Sequence, residues 1–470
     1  MDYRCQQFTP NNISNYMLDI IGYKKNLFGK KVLENSCGEG NILKFIVERY
    51  ILDAKSKGYL NAKIKHGLEN DIYGAEIKED TYKICIKNLD KVAKKYGIVN
   101  IKWKIVNDDI LKERINIKFD YIIGNPPYIS YKNLDKKERI FIKQHFESCK
   151  NGKPDYCYAF IENAINSLKD NGKMVYLIPN SIFKNVFAKK LREIILEDLI
   201  EVFDYPNQKL FKNALTSSAI MILQKYSNMP TFNYINTTNN SNYCIDKNSL
   251  SEKWIFENNI YNTNSKDSCF EEYFRAAITI ATQRNNVFVV DQEKKKKLNL
   301  EDGLIKSAIS PRNKNYDNKE YIIFPYKLEK KSIKKLNEKE LEINYPNIYK
   351  YLLDNKKELD NRKADRSAQW FEYGRSQAIQ NMNKRKLLIS TVITNEVNVY
   401  ELERQDVPYS GIYIISNGNY NLKIAKSILE SREFFEYALK IGTPASGKSV
   451  RITANDINKF KILKREYNLL

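Results

Sequence analysis

Short apolar runs alternate with amphipathic stretches through the first half of the chain. The runs have the length and the aliphatic and aromatic content of buried strands, and the stretches between them have the period of a helix. Strands that alternate with helices in this way predict an α/β fold, in which crossover helices join the strands of a parallel sheet. The predicted strands are residues 31–35, 72–77, 101–106, 119–124, 173–179, 199–205 and 217–223, and residues 158–169 are a predicted helix that stops near Asn171 and Gly172.

The character of the sequence changes at about residue 227. Residues 227–245 are polar, rich in Asn and Thr and without helical period, which is typical of a linker. Beyond them, β-like runs mix with helical ones, and no internal repeat is visible. The sequence therefore predicts a first domain over residues 1–226, a linker over 227–245 and an α+β second domain over 246–470.

The composition restricts the class of protein and its partners. The 470 residues suffice for two or three domains, and they contain neither an apolar run of about eighteen residues nor a secretory signal, so no membrane association is expected. The seven cysteines form no CxxC pair and only two histidines occur, which argues against disulfides and a metal site and favours a bacterial cytoplasm. The net charge of +21 fits nucleic acid as a partner, although the codon usage of an AT-rich genome also raises the lysine content.

Acidic residues follow three of the predicted strands. The first strand ends at Glu34 and continues into a turn with Gly38 and Gly40, where the backbone can approach a ligand closely. Glu76 ends the second strand, where an acid binds the ribose diol in nucleotide-binding sheets, and Asp109 follows the third. Together these residues predict a nucleoside ligand at the carboxyl edge of the sheet, although each one alone is also explained as an exposed loop acid or a tight turn.

The fourth predicted strand ends in the sequence Asn125-Pro126-Pro127-Tyr128. The prolines fix the backbone, so the side-chain carbonyl of Asn125 is held beside the backbone carbonyl of Pro126. Two converging acceptors can bind both hydrogens of an exocyclic amine, which loosens the conjugation of its nitrogen with the ring and makes the lone pair nucleophilic. The ring of Tyr128 offers a face on which a planar base can stack. This pattern predicts a site that activates a conjugated amine.

In the order of these motifs, residues 6–225 resemble the TaqI-like class of amino-group DNA methyltransferases, which use S-adenosylmethionine to methylate adenine in restriction-modification systems. The resemblance rests on "FTP" at residues 8–10, the glycine turn, "NPPY", and "LFKNALTSSAIMIL" at residues 210–223. It implies a Rossmann-like class I S-adenosylmethionine-dependent methyltransferase domain with a mostly parallel seven-stranded sheet, followed by a target-recognition domain. It also implies that the target adenine of duplex DNA is reached by base flipping.

The resemblance assigns roles to individual residues. It makes Asn125, Pro126, Pro127 and Tyr128 the catalytic motif, with Phe211 stacking on the extruded base opposite Tyr128. The implied cofactor-binding residues are Phe8, Thr9 and Pro10 over the methionine part, Glu34, Gly38 and Gly40 at the amino-acid part, Glu76 at the ribose, and Asp109 and Ile110 at the adenine. The sequence departs from the common pattern at Lys78, where an acid often follows the ribose ligand, and in a long insertion before Glu76.

Other classes of protein share some of these motifs. "NPPY" also occurs in enzymes that methylate protein glutamine or ribosomal RNA, so an RNA adenine methyltransferase is the alternative enzyme. A non-catalytic DNA-binding modification subunit would have no need of an intact Asn125 and Glu76. No Pro-Cys dipeptide is present, which excludes methylation of a cytosine ring carbon. No nuclease-like cluster is evident, so the chain is expected to be the partner of a separate restriction endonuclease or to act alone.

The second half contains basic segments that are candidates for DNA contacts. Residues 442–449 match the phosphate-loop pattern GxxxxGK[ST], but that pattern needs a strand before it and a helix after it, and here a helical stretch precedes and a β-like run follows. The loop is therefore expected to meet DNA phosphates. Residues 360–377 interleave arginines with aromatic residues, which a solvated helix with a buried tryptophan explains equally well. The candidate contacts are Arg312, Arg362, Arg366, Trp370, Arg375, Lys448 and Arg451.

Overall fold

The computed structural model describes residues 9–113, 116–206, 217–256, 268–316, 319–328, 332–445 and 447–462. The chain divides into two units, residues 1–259 and residues 260–470.

The described part of the first unit contains nine strands and seven α-helices. The strands are β1 (Val32–Glu34), β2 (Ile72–Ala75), β3 (Lys104–Val106), β4 (Phe119–Gly124), β5 (Leu168–Pro179), β6 (Leu199–Tyr205), β7 (Ser218–Gln224), β8 (Thr231–Asn236) and β9 (Ser241–Asp246). The helices are α1 (Asn11–Ile20), α2 (Leu43–Ser56), α3 (Asn61–Asp71), α4 (Glu79–Lys95), α5 (Lys136–His145), α6 (Cys157–Ser167) and α7 (Lys189–Leu196). Short 3₁₀ helices lie at Tyr131–Asn133, Glu147–Cys149, Asn180–Phe183, Val186–Ala188 and Lys247–Ser249.

The strands of the first unit form one sheet in the order β3-β2-β1-β4-β5-β7-β6-β8-β9. Neighbouring strands from β3 to β5 pair in parallel, and β7 runs antiparallel between β5 and β6. The first seven strands thus have the arrangement of class I S-adenosylmethionine-dependent methyltransferases, which confirms the predicted fold class. The strand order reverses between β1 and β4, and open α/β sheets bind their ligands at the carboxyl ends of the strands beside such a reversal.

All seven predicted strands are present, and β4 and β6 have the predicted bounds. Their near-continuous apolar sequences reflect cores on both faces of the sheet. Ile122 and Met174 pack into the core on one face, whereas their neighbours Ile123 and Val175 pack into the core on the other. These apolar runs are therefore required by a central strand that is covered on both sides.

The predicted helix over 158–169 ends earlier than expected. Helix α6 stops at Ser167 because β5 begins at Leu168. Asn171 does turn the chain, with a φ of 60°, but it does so inside the irregular start of β5. The sequence therefore predicted a turn at the correct position but assigned it to the end of α6 instead of the start of β5.

The predicted linker over 227–245 is wrong. These residues contain most of the β8–β9 hairpin, which pairs with β6 and extends the sheet to nine strands, and the boundary between the units falls at residue 259. In β8, Phe232 and Tyr234 are buried while Asn233 between them is exposed, so one side of the strand faces solvent. A strand with one solvent-facing side can have the polar composition of a loop. The alternation of buried and exposed residues is what distinguishes such a strand from a loop.

The described part of the second unit contains α-helices and several small sheets. Its strands are β10 (Ser268–Cys269), β11 (Phe274–Ile278), β12 (Val289–Asp291), β13 (Ile305–Ile309), β14 (Glu320–Ile323), β15 (Tyr326–Leu328), β16 (Ile333–Lys335), β17 (Lys386–Ile389), β18 (Val392–Ile393), β19 (Val399–Leu402), β20 (Asp406–Pro408), β21 (Ile412–Ser416), β22 (Thr443–Pro444), β23 (Val450–Arg451) and β24 (Lys461–Ile462). Its helices are α8 (Asn285–Phe288), α9 (Gln292–Lys297), α10 (Pro311–Tyr316), α11 (Glu338–Asn344), α12 (Pro346–Asp354), α13 (Lys356–Asp360), α14 (Leu422–Leu429), α15 (Arg432–Ile441) and α16 (Ala454–Asn458).

Two four-stranded sheets organise the second unit, in the orders β11-β21-β17-β19 and β12-β14-β13-β20. The first is antiparallel throughout, and the second contains one parallel pair, β13 with β20. Phe288, Phe324 and Tyr373 belong to one buried aromatic core beside the second sheet. In either unit, no helix within the described ranges is long and apolar enough to cross a bilayer.

Candidate active site

The turn between β1 and α2 brings backbone to the carboxyl edge of the sheet. Gly38 and Gly40 have positive φ angles of 53° and 79°, a conformation that residues with a side chain rarely adopt. A Cβ atom on Gly40 would also lie 2.9 Å from Sγ of Cys85 on α4. Glycine is therefore required at position 40 by both conformation and space, as the predicted cofactor turn demands.

Glu34 ends β1 and is almost completely buried. Its Oε2 accepts a hydrogen bond from the backbone N–H of Leu43, at the first residue of α2, over 3.1 Å. Burial raises the pKa of the Glu34 carboxyl well above its usual range, and the nearby Cys85 thiol adds to this shift. Glu34 therefore positions the start of α2 as well as lying at the predicted cofactor edge.

Glu76 lies at the end of β2 and braces the same turn. Its Oε2 accepts from the backbone N–H of Gly38 at 3.0 Å, and its Oε1 accepts from the backbone N–H of Lys78 at 2.9 Å. A carboxylate has about four lone-pair positions, so each oxygen can still accept a hydrogen bond from a ligand. Glu76 thus joins the first two carboxyl-edge loops, a bracing role that the sequence did not indicate.

Asp109 and Ile110 follow β3, and both are buried. Oδ1 of Asp109 accepts from the backbone N–H of Leu111 at 3.1 Å, and Oδ2 forms an ion pair with Lys112 at 2.7 Å. The amide of Asn107 donates to the backbone carbonyl of Glu76 at 2.7 Å, which ties this loop to the one before it. The three predicted acids therefore occupy the same edge of the sheet, at the ends of β1, β2 and β3.

Asn125 and Pro126 follow β4, on the other side of the reversal in strand order. The Nδ2 of Asn125 donates to Oγ1 of Thr9 at 3.2 Å, so two motifs 116 residues apart in sequence meet at the site. The backbone carbonyl of Asn125 accepts from the hydroxyl of Ser36, in the glycine turn, at 3.2 Å. With Nδ2 directed at Thr9, the side-chain carbonyl of Asn125 points away from Thr9, which fixes the orientation of this acceptor.

Tyr128 is half-buried as a residue, and its hydroxyl is buried. The hydroxyl lies beside Ser218 at the start of β7 and near the Cys157 thiol, and burial raises its pKa well above the usual range. Ser218 belongs to the "TSS" sequence of the later motif, so that motif and "NPPY" meet as the resemblance implies. Pro127, which lies between Pro126 and Tyr128 in the sequence, is half-buried.

Two predicted site residues, Phe8 and Phe211, lie outside the described residues. Of the remaining "FTP" residues, Thr9 is buried and contacts Asn125. Pro10 is half-buried, and its carbonyl accepts from the backbone N–H of Ser14 in the first turn of α1 at 2.9 Å. In the structure, Thr9 therefore supports the Asn125 side chain, while its place at the cofactor stays a prediction.

Asn35 and Tyr176 support the site and were not identified from the sequence. The hydroxyl of Tyr176, in β5, donates to Oδ1 of Asn35 at 2.5 Å, and both side chains are buried. A Cβ atom on Gly124 would lie 3.3 Å from the Tyr176 ring and close to Asn35. Gly124, the last residue of β4, is thus packed against this pair, and this packing fixes the position of Asn125, which follows it. The only sequence signal for this pair is the polar side chain of Tyr176 in the apolar strand β5.

Arg362 has a structural role, which corrects its prediction as a DNA contact. Its guanidinium donates to the backbone carbonyls of Leu359, Thr282, Glu372 and Trp370 over 2.6 to 3.1 Å. Burial lowers its pKa, and four carbonyl partners satisfy the fork of donors that a phosphate or guanine would need. Arg362 therefore holds the turns of residues 360–377 together.

The other candidate contacts of the second unit differ in their surroundings. The Trp370 indole donates to Glu338 at 3.0 Å, and the segment around it consists of turns rather than the helix considered as the alternative. Arg375 is exposed and forms an ion pair with Asp365 at 2.8 Å. Exposed side chains also belong to Arg312 on α10, Arg366, Lys448 and Arg451.

The phosphate-loop match at residues 442–449 does not have the structure of that motif. Helix α15 precedes it, and β22 and β23 flank the loop and pair with each other as an antiparallel hairpin. The described residues after Lys448 form β23, so the helix that would cradle a phosphate is replaced by a strand. The elements on either side of the loop are thus of the predicted kind, a helix before it and a strand after it.

The acceptors at the carboxyl edge fit S-adenosylmethionine. The cofactor presents donors, namely an ammonium group, two ribose hydroxyls and the adenine amine, and the edge presents the carboxyl groups of Glu34, Glu76 and Asp109. The backbone approach at Gly38 and Gly40 leaves room where the amino-acid part is expected. Residue types, positions and conformation therefore agree with S-adenosylmethionine as the cofactor.

Comparison with known proteins agrees with this geometry. The Escherichia coli type II restriction enzyme and methyltransferase RM.Eco57I is 24% identical over 74% of this chain, which spans only 41% of that protein's length. The Geobacillus stearothermophilus type II methyltransferase M.BstVI is 22% identical over 97% of this chain and 89% of its own. The solved structure of the type IIL restriction-modification enzyme MmeI in complex with DNA matches with a TM-score of 0.62 and 14% identity, over 96% of this chain and 64% of MmeI. That likeness establishes the fold.

The match to a family profile is specific to the segment that forms the site. The profile of the Eco57I restriction-modification methylases covers residues 24–211, which include the glycine turn, the acids at the ends of β1 to β3 and the "NPPY" sequence. Over residues 24–211, which contain the candidate site, the chain is therefore similar to the Eco57I restriction-modification methylases.

Proposed function

We propose that the protein transfers a methyl group from S-adenosylmethionine to the exocyclic amine of adenine within a specific sequence of duplex DNA. The observation that carries this proposal is the placement of Asn125 and Pro126 beside the cofactor edge, with the Asn125 amide oriented by Thr9. When bound, S-adenosylmethionine supplies a methyl group on a positively charged sulfur. Everything else in the proposal concerns how the chain binds and activates the amine.

Asn125 and Pro126 act by accepting hydrogen bonds. The side-chain carbonyl of Asn125 and the backbone carbonyl of Pro126 each accept a hydrogen bond from one N–H of the adenine amine. Positive charge develops on that nitrogen as it bonds to the methyl carbon, while the bond from that carbon to sulfur breaks and its electron pair goes to sulfur. The nitrogen then loses one of its protons to water. Acceptors that are already oriented stabilise this charge without reorganising. The Asn125 backbone is itself held by Ser36 at 3.2 Å, so the acceptors stay in place while the base enters.

The base must leave the duplex to reach these acceptors. A stacked and paired adenine hides its amine, so enzymes that modify it extrude the nucleotide into a pocket. Tyr128 supports this step because its hydroxyl is anchored in the interior beside Ser218, while the residue as a whole is only half-buried. A ring fixed at one end can stack on a flipped base at little entropic cost, and Phe211 is proposed as the opposite face.

Thr9 provides a test of the positioning step. We expect Thr9→Val to lower the methyl-transfer rate about tenfold, the effect of losing one oriented hydrogen bond of roughly 1.5 kcal/mol. Thr9→Ser, which retains the hydroxyl that contacts Asn125, should retain most of the rate. Single-turnover kinetics with saturating cofactor would measure both variants. Equal rates for Val and Ser variants would contradict a positioning role for the Thr9 hydroxyl.

The second unit is proposed as the target-recognition domain. Its exposed arginines Arg312, Arg366 and Arg375, and the hairpin with Lys448 and Arg451, supply groups that suit guanine edges and phosphates. We propose duplex DNA as the partner, with a separate restriction endonuclease acting on the same sequence or with the protein acting alone.

Lys448 and Arg366 distinguish the two kinds of DNA contact. We expect Lys448→Gln to weaken the binding of cognate and scrambled duplexes alike. It should also reduce the slope of log affinity against log salt by about one, as loss of a phosphate contact does. Arg366→Gln should cost about 1–3 kcal/mol on the cognate duplex and relax one recognised position. Affinities at two salt concentrations would measure both, with the exposed Arg432→Gln as the control. Unaltered binding and sequence preference in both variants would remove these residues from the DNA interface.

The substrate class can be tested directly. The protein is incubated with tritiated S-adenosylmethionine and either duplex DNA or total RNA, and the labelled nucleoside is identified after digestion. The proposal predicts label in N6-methyladenine from DNA. Label in RNA would support the alternative RNA methyltransferase. Label in N4-methylcytosine would mean that the target base is cytosine rather than adenine. Absence of label with intact DNA binding would support a non-catalytic subunit.

A further inference from the structure

An exposed apolar tip lies in the loop between β5 and α7, outside the motifs that carry the proposed chemistry. The tip consists of Val186 and Phe187, whose residues are 56% and 40% exposed. Large apolar side chains that protrude next to each other from a soluble surface are commonly part of a binding site. The resemblance assigns no role to them.

The tip is held rigidly. The backbone N–H of Phe187 donates to Oδ1 of Asn185 at 3.0 Å, and the Phe187 ring packs directly on Gly152. Gly152 has a φ of 68°, and a Cβ atom there would lie 2.3 Å from the ring, so only glycine leaves room for it. Below the tip, the buried Arg192 donates to the carbonyls of Ile182 and Asn185 at 2.6 and 2.9 Å.

Lysines surround the tip. Five of them lie within three residues of the tip or of Gly152, and a sixth, Lys143, donates to the Gly152 carbonyl at 2.9 Å. Three of these lysines form ion pairs with the exposed Glu147, Glu193 and Glu252, so positive charge is in excess. Surface ion pairs of this kind are weak, and a polyanion can displace them. The six are Lys143, Lys150, Lys153, Lys184, Lys189 and Lys190.

The fold places this surface beside the candidate active site. β4 and β5 are neighbouring parallel strands with Gly124 opposite Tyr176. The loop after β5 therefore leaves the same edge of the sheet as Asn125 and the residues that follow it. A substrate whose base enters at Asn125 would extend over the neighbouring loop.

We infer that this surface, named here the tip surface and comprising Val186, Phe187 and the six lysines, contacts the duplex beside the extruded adenine. The inference rests on the proposed function and adds to it a DNA contact in the first unit. The lysines would bind phosphates, and the apolar tip would pack against the base step next to the target, in the way that apolar wedges unstack and kink DNA. Duplex DNA matches both features, since it presents negative charge outside and apolar base faces within.

A duplex with 2-aminopurine in place of the target adenine tests the tip, because the fluorescence of this base rises when it leaves the stack. Wild-type protein should raise the fluorescence on binding. Val186→Ser with Phe187→Ser should reduce that rise and weaken the cognate duplex about tenfold, with the affinity for S-adenosylmethionine unchanged. Gly152→Ala, which displaces the Phe187 ring without changing the tip sequence, should act in the same direction.

A matched residue provides the control for the tip. Val99 is 53% exposed and precedes β3, at the amino-terminal edge of the sheet. Val99→Ser should therefore leave both fluorescence and affinity unchanged. Comparing the two valines separates loss of the tip from a general effect of removing an exposed apolar side chain.

The lysines are tested by the salt dependence of binding. Lys189→Gln with Lys190→Gln should reduce the slope of log affinity against log salt by about two, since each phosphate contact contributes about one. The control is Lys94→Gln with Lys95→Gln. These lysines are in the last turn of α4, far along the chain from the residues at the site edge, and the double variant should leave the salt slope unchanged.

The outcomes separate the two proposals. If wild-type protein methylates adenine in duplex DNA but the tip and lysine variants keep wild-type fluorescence, affinity and salt slope, the inference about the tip surface is overturned while the proposed function stands. If wild-type protein methylates RNA and not duplex DNA, both are overturned. A fluorescence loss confined to the tip and Gly152 variants would support the inference.

Discussion

Asn125→Ala should abolish most of the methyl transfer while leaving cofactor binding nearly intact. The side chain supplies one of the two oriented acceptors for the adenine amine, and removal of one such group costs about 10²–10³-fold in rate. Asn125 lies after β4, whereas the carboxylates proposed to bind the cofactor lie after β1, β2 and β3. Rate and cofactor affinity should therefore respond to different residues.

The measurement is single-turnover transfer from tritiated S-adenosylmethionine to DNA, together with calorimetric titration of the cofactor. Asn133→Ala is the matched control, since Asn133 is an exposed asparagine in the 3₁₀ helix that follows the same loop. It should transfer methyl at the wild-type rate. Near wild-type turnover by Asn125→Ala would rule out the catalytic assignment.

Glu76→Ala should have the opposite profile, with a large loss of cofactor affinity. A carboxylate that accepts from ribose hydroxyls makes charge-assisted hydrogen bonds of about 1.5–3 kcal/mol, which corresponds to roughly 10- to 150-fold in dissociation constant. The structure adds a second reason, because Glu76 also accepts from the backbone N–H groups of Gly38 and Lys78. Its removal would loosen the glycine turn as well as the ribose contact.

Glu76→Gln separates these two contributions. Glutamine keeps one carbonyl oxygen and the volume of the side chain, so it can still accept from one backbone N–H and should lose less affinity than alanine. Glu79→Ala, which removes an exposed carboxylate at the start of α4, serves as the control and should bind the cofactor normally. Unchanged calorimetric affinity in Glu76→Ala would mean that the ribose binds elsewhere.

The central strands could be predicted because burial on both faces leaves a simple pattern. β4 and β6 were predicted with their observed bounds, since most positions of a strand that is covered on both faces are apolar. The β8–β9 hairpin was missed because only one of its sides is covered, and the alternation of Phe232 and Tyr234 was outweighed by the Asn- and Thr-rich composition. Strands that are covered on one face carry a weaker signal than strands that are covered on both, for this physical reason.

The candidate site could be predicted where local sequence determines the geometry. The glycine turn and the two prolines after β4 restrict their own backbone, so Gly40 and Asn125 are in the expected places. Contacts between distant segments could not be predicted in this way. Asn35 and Tyr176 are 141 residues apart, and nothing in either local sequence indicates that they meet. Arg362 has the residue type of a DNA contact, yet its environment makes it a structural residue.

Single-molecule sequencing of DNA from cells that express the wild-type protein or Asn125→Ala tests the central claim most directly. The protein is proposed to place a methyl group on the adenine amine of one recognised sequence, with Asn125 as an oriented acceptor. The wild type is expected to produce N6-methyladenine at one recurring sequence, and the variant to leave that sequence unmodified. Modified cytosine, adenine methylation without a recurring sequence, or equal modification by both proteins would contradict the claim.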